Sequence, residues 1–252
     1  MRGLLVERRG NRWHSLLMIA TVDIADLGVR RTLLSLRHRP APAIIPGLRW
    51  LDTAAAVPLA SKHPPGFRRT VMIAFWDDED AAATFMREHP LGKRFAENGF
   101  HAVLRPLRAY GAWPGLPDEV PRARAISHDG PVLVTTLGKL RMSQAVRFLR
   151  ASRPAERSAL AAAGFVWGTA ATRPAGMHPP FMATISLWST ADAAAAYAYA
   201  DPDAGHPRAV TKQRRKDFHH ESAFIRHVPL AITGSVHGMP SLWRYVAPYL
   251  HQ

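Results

Sequence analysis

The sequence contains an internal duplication, and this repeat limits the possible folds more than any other feature does. The stretch "MIAFWDDEDAAATF" (residues 72–85) returns in altered form as "TISLWSTADAAAAY" (residues 184–197). In both stretches an alternating apolar run ends in Trp and is followed by a polar segment, an Asp and an alanine-rich run. An alternating run indicates a strand and the alanine-rich run indicates a helix. The chain therefore carries the same strand–helix unit twice.

Two further pairs of landmarks appear in the same order around this unit. Upstream, "PGLRW" (residues 46–50) parallels "AGFVW" (residues 163–167). Downstream, "YGAWPG" (residues 110–115) parallels "TGSVHG" (residues 233–238). The pairs indicate a repeat that spans nearly the whole chain. We place the first copy at residues 12–115, a linker at 116–130, the second copy at 131–238 and a C-terminal tail at 239–252.

Each copy predicts the element order strand, helix, strand, strand, helix, strand. In copy one the predicted strands are "LLMIATVDI", "LRWLDTAAAV", "RTVMIAFW" and "HAVLRPLRAYG", with helices "VRRTLLSLRHRP" and "DDEDAAATFMREH". Pro106 predicts an edge or a bulge at the centre of the last of these strands, and the acidic run at 77–80 is typical of a helix start. Copy two follows with strands "GPVLVTTLG", "AAGFVWGTAAT", "FMATISLW" and "FIRHVPLAITGS". Its first helix, "MSQAVRFLRAS", is predicted to be capped by Ser143.

This order is the ferredoxin-like βαββαβ unit, so the fold class is α+β. A single unit covers one face of its sheet with helices and leaves the other face apolar and bare. Two copies that close against each other bury both bare faces, whereas two independent domains would each expose one. We therefore predict tandem ferredoxin-like repeats packed as an α+β barrel, with a tandem pair of independent domains as the alternative.

Composition excludes several classes of site. The 252 residues contain no cysteine, which excludes disulfides, thiolate zinc sites, iron–sulfur clusters and thiolate-ligated haem. No apolar run approaches the roughly 20 residues of a membrane span, and the expectation is a soluble, cytoplasmic protein without a transmembrane segment. A formal net charge of +14 leaves docking on a membrane surface open. The strands "LLMIATVDI" and "PVLVTTLGK" lack the aromatic residues of an RNA-binding sheet, so no nucleic-acid partner is expected.

The motifs "PGLRW", "FWDDEDAA" and "GAWPG", each repeated in weaker form, resemble the spheroidene monooxygenase family of carotenoid-oxidising enzymes. The resemblance implies a haem-dependent (iron) monooxygenase with the architecture of the dimeric α+β barrel haem proteins. It also implies a small or apolar organic substrate, an electron donor such as a ferredoxin, and homo-oligomerisation. Other reactions on haem (peroxidase-like, dehydratase-like or nitrogen-oxidising), a cofactor-free barrel protein and a basic nucleic-acid-binding module are the alternatives.

The same resemblance places the cofactor site in "DAGHPRAVTKQRRKDFHHES" (residues 203–222), predicted as the second helix of copy two. It implies iron ligation by His206, with His219 and His220 as alternatives. Arginine pairs well with carboxylates, and the arginines near His206 would meet those of haem. The implied cofactor-binding residues are His206, Arg208, Val210, Arg214, Arg215 and His220. A solvated helix face is the competing interpretation of this charged stretch.

Two residues beyond this segment are candidates for the catalytic side of the pocket. Arg226 lies on the predicted last strand, where it could face the substrate side or meet a haem propionate. His237 is taken as the replacement of Trp113 of copy one, and a His at the place of a structural Trp suggests a distal polar group.

Overall fold

The architecture comes from a computed structural model, which describes residues 18–63, 65–123, 128–173, 176, 180–199 and 218–249. Copy one contains three helices and four strands in these ranges: β1 (Ile19–Asp26), α1 (Val29–Arg37), β2 (Leu48–Pro58), β3 (Arg69–Trp76), α2 (Glu79–Glu88), α3 (Pro90–Asn98) and β4 (Gly99–Gly111). Copy two contains β5 (Val132–Leu140), α4 (Ala145–Leu160), β6 (Phe165–Arg173), β7 (Phe181–Trp188), α5 (Ala191–Tyr199) and β8 (His219–Gly234). A short helix, α6 (Trp243–Val246), follows β8.

The eight strands form one closed antiparallel barrel in the order β1-β3-β2-β6-β7-β5-β8-β4. Each copy contributes one half of the barrel in the strand order of a ferredoxin-like sheet. The halves meet at two seams, a long pairing of β4 with β8 and a short pairing of β2 with β6. The predicted α+β barrel of tandem repeats is confirmed, and closure leaves no open sheet edge.

The interior of the barrel holds the main core. Strand residues at every second position point inward, because successive side chains of a strand alternate between its faces. Val22, Ile73, Leu133 and Ile185 are examples, all within one hydrophobic cluster. The helices lie outside and cover the opposite side of each sheet, so the barrel has one shared core and a separate outer layer for each copy.

The repeat landmarks occupy equivalent backbone positions. A register irregularity precedes Trp50 opposite β3, and another precedes Trp167 opposite β7. Gly111 and Gly234 both end a strand with positive φ, 86° and 67°. A Cβ at either position would overlap a carbonyl oxygen of the facing strand, so both turns require glycine. The predicted bulge at Pro106 is also present, between Pro106 and Arg108.

The sequence predictions were wrong at three elements. Residues 90–98, for which no element was predicted, form a further helix, α3, and it begins at Pro90 because proline is well accommodated in a first helical turn. Ser143 does not cap α4; it lies in a short 3-10 turn before the helix, which continues through Pro154 to Leu160. His219 and His220 belong to strand β8 and not to a helix. Asp78 does cap α2, with its carboxylate accepting from the Ala81 amide.

In the described ranges no helix is both long and apolar enough to cross a membrane.

Candidate functional site

The helix-facing sides of the two half-barrels are filled very differently. In copy one this side, here called the copy-one outer face, lies beneath α1, α2 and α3 and is buried except at the partly exposed His101. Leu51, Met72 and Ala74 belong to a continuous apolar layer with large helix residues. Beside them a buried ion pair joins Asp23 of β1 to His101 of β4, with 2.5 Å between Oδ1 and Nδ1. Copy one therefore leaves no room between its sheet and its helices.

The equivalent side of copy two is only half-buried, and its side chains are small except for that of Phe224. Strand register from the shared tryptophans gives the equivalences: Thr184 stands at the place of Met72, Ser186 at Ala74, Gly168 at Leu51, Thr136 at Asp23 and Phe224 at His101. These five residues, here called the copy-two outer face, all remain partly accessible. Instead of one layer, the helices make two separate apolar clusters, one at each end. Among the described residues, the face between these clusters differs clearly from its copy-one equivalent, and it is the candidate site.

One end of the copy-two outer face is bounded by the ring of His219. A Cβ added to Gly138 would lie 2.5 Å from His219 Cδ2, so the imidazole lies directly over this glycine. The ring also contacts Phe148 of α4 edge-on, with 5.1 Å between centroids. His219 is half-buried, whereas the neighbouring His220 is exposed. Strand geometry thus brings His219, and not His220, to the helix-facing side.

The other end of this face carries two buried arginines. Arg226 of β8 and Arg108 of β4 are opposite each other across the seam, and they are 8% and 4% exposed. The Arg226 guanidinium lies 5.9 Å from the centre of the Tyr199 ring on α5, which places it on the helix side of the sheet. Burial lowers the pKa of Arg226; Arg108 lowers it further, while Tyr199 and Asp192 act in the opposite direction.

A hydrogen bond ties the two helices that flank this face. The Tyr197 hydroxyl of α5 donates to the Ala155 carbonyl of α4 over 2.8 Å, and its ring stacks on Trp188 at 4.9 Å. Burial raises the pKa of Tyr197 to about 12, so the phenol keeps its proton at physiological pH. α4 and α5 are therefore held at a fixed separation at this point.

The sequence analysis missed a set of polar residues inside the barrel. Asp52 accepts from Arg173, which is equally buried, and from Arg39 at 3.0 Å. Burial raises the pKa of Asp52, against the opposing effect of both arginines. Burial also lowers the pKa of His227 to about 4, and its neutral ring donates from Nδ1 to the Leu133 carbonyl. A polar residue at an inward position, such as Asp52 in "LRWLDTAAAV", is the signal that could have revealed them.

Arg108 was also missed by the sequence analysis. Its place opposite Arg226 follows from the pairing of β4 with β8, which joins the two copies. A single strand read alone shows no such partner. A prediction that paired β4 with β8, the last strand of each copy, would have placed the two arginines opposite each other.

Five predicted cofactor residues, His206, Arg208, Val210, Arg214 and Arg215, lie outside the described residues. Of the other predicted residues, Arg226 lies at the copy-two outer face, as described above, and the side chain of His220 is exposed. Three or more His, Asp or Glu side chains suited to a metal ion are not found together anywhere in the described part of the chain.

The assignment of His237 to the place of Trp113 is wrong by one position. Trp113 and Val236 are the residues that share a place, since both follow the strand-ending glycine by two positions and both lie in the barrel core. His237 corresponds to Pro114 and is exposed, with its carbonyl accepting from Arg69 at 2.7 Å. From Arg226 to Gly234 the strand runs about 26 Å at its usual rise per residue. His237 and Arg226 therefore do not line one pocket.

Comparison with known proteins supports the resemblance inferred from the motifs. The chain is 33% identical over 175 residues to spheroidene monooxygenase from Rubrivivax gelatinosus, a match that covers 68% of this chain and 64% of that protein. It thus spans less than two thirds of the length of the curated relative it matches. The predicted resemblance to the spheroidene monooxygenase family is confirmed. No family model matches the sequence.

Among solved structures, an aldoxime dehydratase in complex with butyraldoxime is similar in fold. It superimposes with a TM-score of 0.50 at 9% identity, over 84% of this chain and 79% of that one. A second aldoxime dehydratase structure gives a TM-score of 0.45 at 11% identity, over 90% of this chain and 84% of that one. At these identities the likeness concerns the fold alone.

Proposed function

We propose that this protein is a haem-dependent monooxygenase that oxidises a small or apolar organic substrate at the copy-two outer face. The observation that carries the proposal is a contrast in burial at equivalent positions: Leu51, Met72 and Ala74 are buried, whereas Gly168, Thr184 and Ser186 remain partly accessible. A packed outer layer in one copy and a partly accessible one in the other is the pattern expected when one copy binds a flat ligand. The spheroidene monooxygenase relative supports oxygenation as the reaction.

The residues around this face fit haem in shape and charge. Small side chains on a sheet give a flat surface against which a planar macrocycle can lie. Arg226 adds a buried positive charge at one end of this face. When bound, haem would supply the activation of dioxygen. The protein's part is to bind and orient the group, to exclude water and to place the substrate against it.

A histidine is the expected iron ligand in a chain without cysteine. We propose His206 for this role, as the resemblance implies, with Arg208, Val210, Arg214 and Arg215 beside the cofactor. His219 is the alternative with the best described position, because its ring lies over Gly138 at the edge of the face. His220 is the weaker alternative, since its side chain is exposed.

Arg226 is the proposed polar group on the substrate side. Its position at mid-strand lets the sheet hold the guanidinium rigidly, and Tyr199 covers it. His237 is not part of the proposed site, because it lies beyond the end of β8. The proposal further includes a cytoplasmic location, a second copy of the chain as partner, and reduction by an electron donor such as a ferredoxin.

Haem titration of the purified protein tests the proposal through the Soret absorption band. We expect the wild type to retain a Soret band through size-exclusion chromatography. His206→Ala is expected to lose it and His220→Ala to keep it. Loss in His219→Ala with retention in His206→Ala would transfer the ligand role to His219. A wild-type protein that binds no haem would rule out the proposed function and leave a cofactor-free barrel.

A second experiment asks whether haem binds at the copy-two outer face. The double variant T136L/T184M places larger side chains on this face, and Met is the residue found at the equivalent of position 184 in copy one. It should weaken haem binding at least tenfold, roughly the effect of about 1.4 kcal/mol of lost contact. Thr84→Met on the exposed side of α2 adds the same Met side chain elsewhere and is the matched control. Unchanged haem affinity in T136L/T184M would place the cofactor elsewhere.

A further inference from the structure

The helices α1 and α4 lie on the same side of the molecule. Helix α1 packs on β2 and β3, and α4 packs on β6, so the two helices flank the short seam between β2 and β6. Glu156 of α4 also accepts a hydrogen bond of 2.6 Å from the Ala60 amide, just after β2. The first helix of each copy thus contributes to one continuous side, here called the seam face.

The seam face combines exposed apolar residues with arginines. On α4 and the turn before it, Met142, Val146 and Leu149 are 55%, 63% and 43% exposed. The exposed Arg150, Arg153 and Arg157 follow them along α4. Helix α1 repeats the combination: Val29 and Leu34 are about half exposed and lie among Arg30, Arg31 and Arg37. In both helices large apolar side chains lie outside, where a soluble helix normally carries polar ones.

Acidic residues are distributed in the opposite way. Helix α1 has none, and α4 has only Glu156, which is half-buried and bonded to Ala60. The helices on the other sides of the barrel carry the acidic side chains Glu79, Asp80, Glu88, Glu97 and Asp192. The seam face is therefore strongly positive and apolar together, and this charge is not a uniform property of the surface.

We infer that the seam face docks on an anionic lipid bilayer. Exposed apolar side chains among arginines are what an interfacial helix presents to lipid: the apolar groups enter the acyl boundary and the cations meet the headgroups. A second copy of the chain is the less favourable occupant, because two such faces would bring like charges together. The inner side of α4 covers the copy-two sheet, so an apolar substrate leaving the bilayer would arrive beside the candidate site. The inference does not depend on haem.

Co-sedimentation with vesicles tests this inference without any assay of enzyme activity. The full-length protein is mixed with vesicles of phosphatidylcholine alone or of phosphatidylcholine with phosphatidylglycerol. We expect binding to the anionic vesicles only, and binding that weakens as salt is added. The variant R150Q/R153Q/R157Q should bind them at least tenfold more weakly, since each basic residue near an anionic surface is worth about fivefold in affinity. V146S/L149S should also bind more weakly but keep the salt dependence of the wild type, because all of its charges remain.

The matched control removes three exposed cations from the opposite helices. R87Q/K93Q/R94Q on α2 and α3 lowers the net charge by the same amount and should bind vesicles like the wild type. Equal loss in both triple variants would overturn the inference, because net charge alone would then explain binding. Equal binding to neutral vesicles, or none to either kind, would also overturn it. A V146S/L149S protein that binds vesicles as the wild type does would overturn it too. The last such outcome is a wild type that binds no lipid and is larger in light scattering than V146S/L149S, because the seam face would then join copies of the chain.

Discussion

The two copies share one backbone plan but differ in packing. Trp76 and Trp188 end equivalent strands, and each packs against an aromatic ring of the helix that follows, Phe85 at 5.1 Å and Tyr197 at 4.9 Å. Away from these anchors the outer faces differ: copy one is filled with apolar side chains and copy two is not. The barrel interior is common to both copies, so they differ in their outer faces: that of copy one is almost completely buried, and that of copy two stays partly accessible in the described residues.

The most direct test of this difference in packing is to exchange the residues at one equivalent position of the two copies. Met72→Thr removes a fully buried side chain from the copy-one outer face, and we expect it to cost about 2–5 kcal/mol of unfolding free energy. Thr184→Met at the same place in copy two should change stability by only about 0.5 kcal/mol, as at other partly exposed positions. Urea denaturation in the absence of haem measures both. Equal costs for the two variants would show that the copy-two outer face is as tightly packed as that of copy one.

A smaller effect concerns how the free energy of unfolding depends on pH. It involves the ion pair of Asp23 and His101, whose places in copy two are taken by Thr136 and Phe224. Burial disfavours the charged form of His101, but the charge and hydrogen bond of Asp23 outweigh burial, and the pKa of His101 is raised. A raised pKa in the folded state means that the stabilisation is complete below the pKa of the unfolded chain. It is lost as pH rises through the folded value, with a slope of at most about 1.4 kcal/mol per pH unit for one proton.

Substituting the copy-two residues tests this assignment. The double variant D23T/H101F carries the pair found in copy two, Thr136 and Phe224, in the positions of the ion pair. We expect the loss of unfolding free energy between neutral and mildly alkaline pH to be shallower in this variant than in the wild type. Parallel pH profiles for the two proteins would mean that another group is responsible for that loss.

The fold could be predicted because its determinants are local and appear twice. The tryptophans that end strands, Trp76 and Trp188, and the glycines at the strand exits, Gly111 and Gly234, mark the same points in each copy. A reader of the sequence can align them without knowing the fold. The predicted elements were wrong where one residue type is compatible with two structures. Proline can follow the end of a helix or begin one, and Pro90 begins α3.

The candidate site was less predictable for a physical reason. The histidines of the "DFHHES" stretch were assigned by resemblance to a helix, yet β8 begins at His219 because its partners Leu140 and Lys139 extend the sheet that far. The accessibility of the copy-two outer face goes with short side chains such as Thr184 and Ser186, while Leu59 and Phe165 lie against Gly168. Small residues in a strand give no signal of their own, and the difference becomes visible only when copy one supplies the comparison.

The smallest expected effect concerns the link between the helices of copy two. Tyr197→Phe keeps the stacking on Trp188 and copies Phe85 of copy one, but it removes the bond to the Ala155 carbonyl. We expect a loss of about 1 kcal/mol, the usual contribution of one such hydrogen bond. Hydrogen exchange should quicken in α4 and α5 and stay unchanged in α2 and α3, because the bond joins only the copy-two helices. Faster exchange in all four helices would mean that the two outer layers are coupled through the barrel.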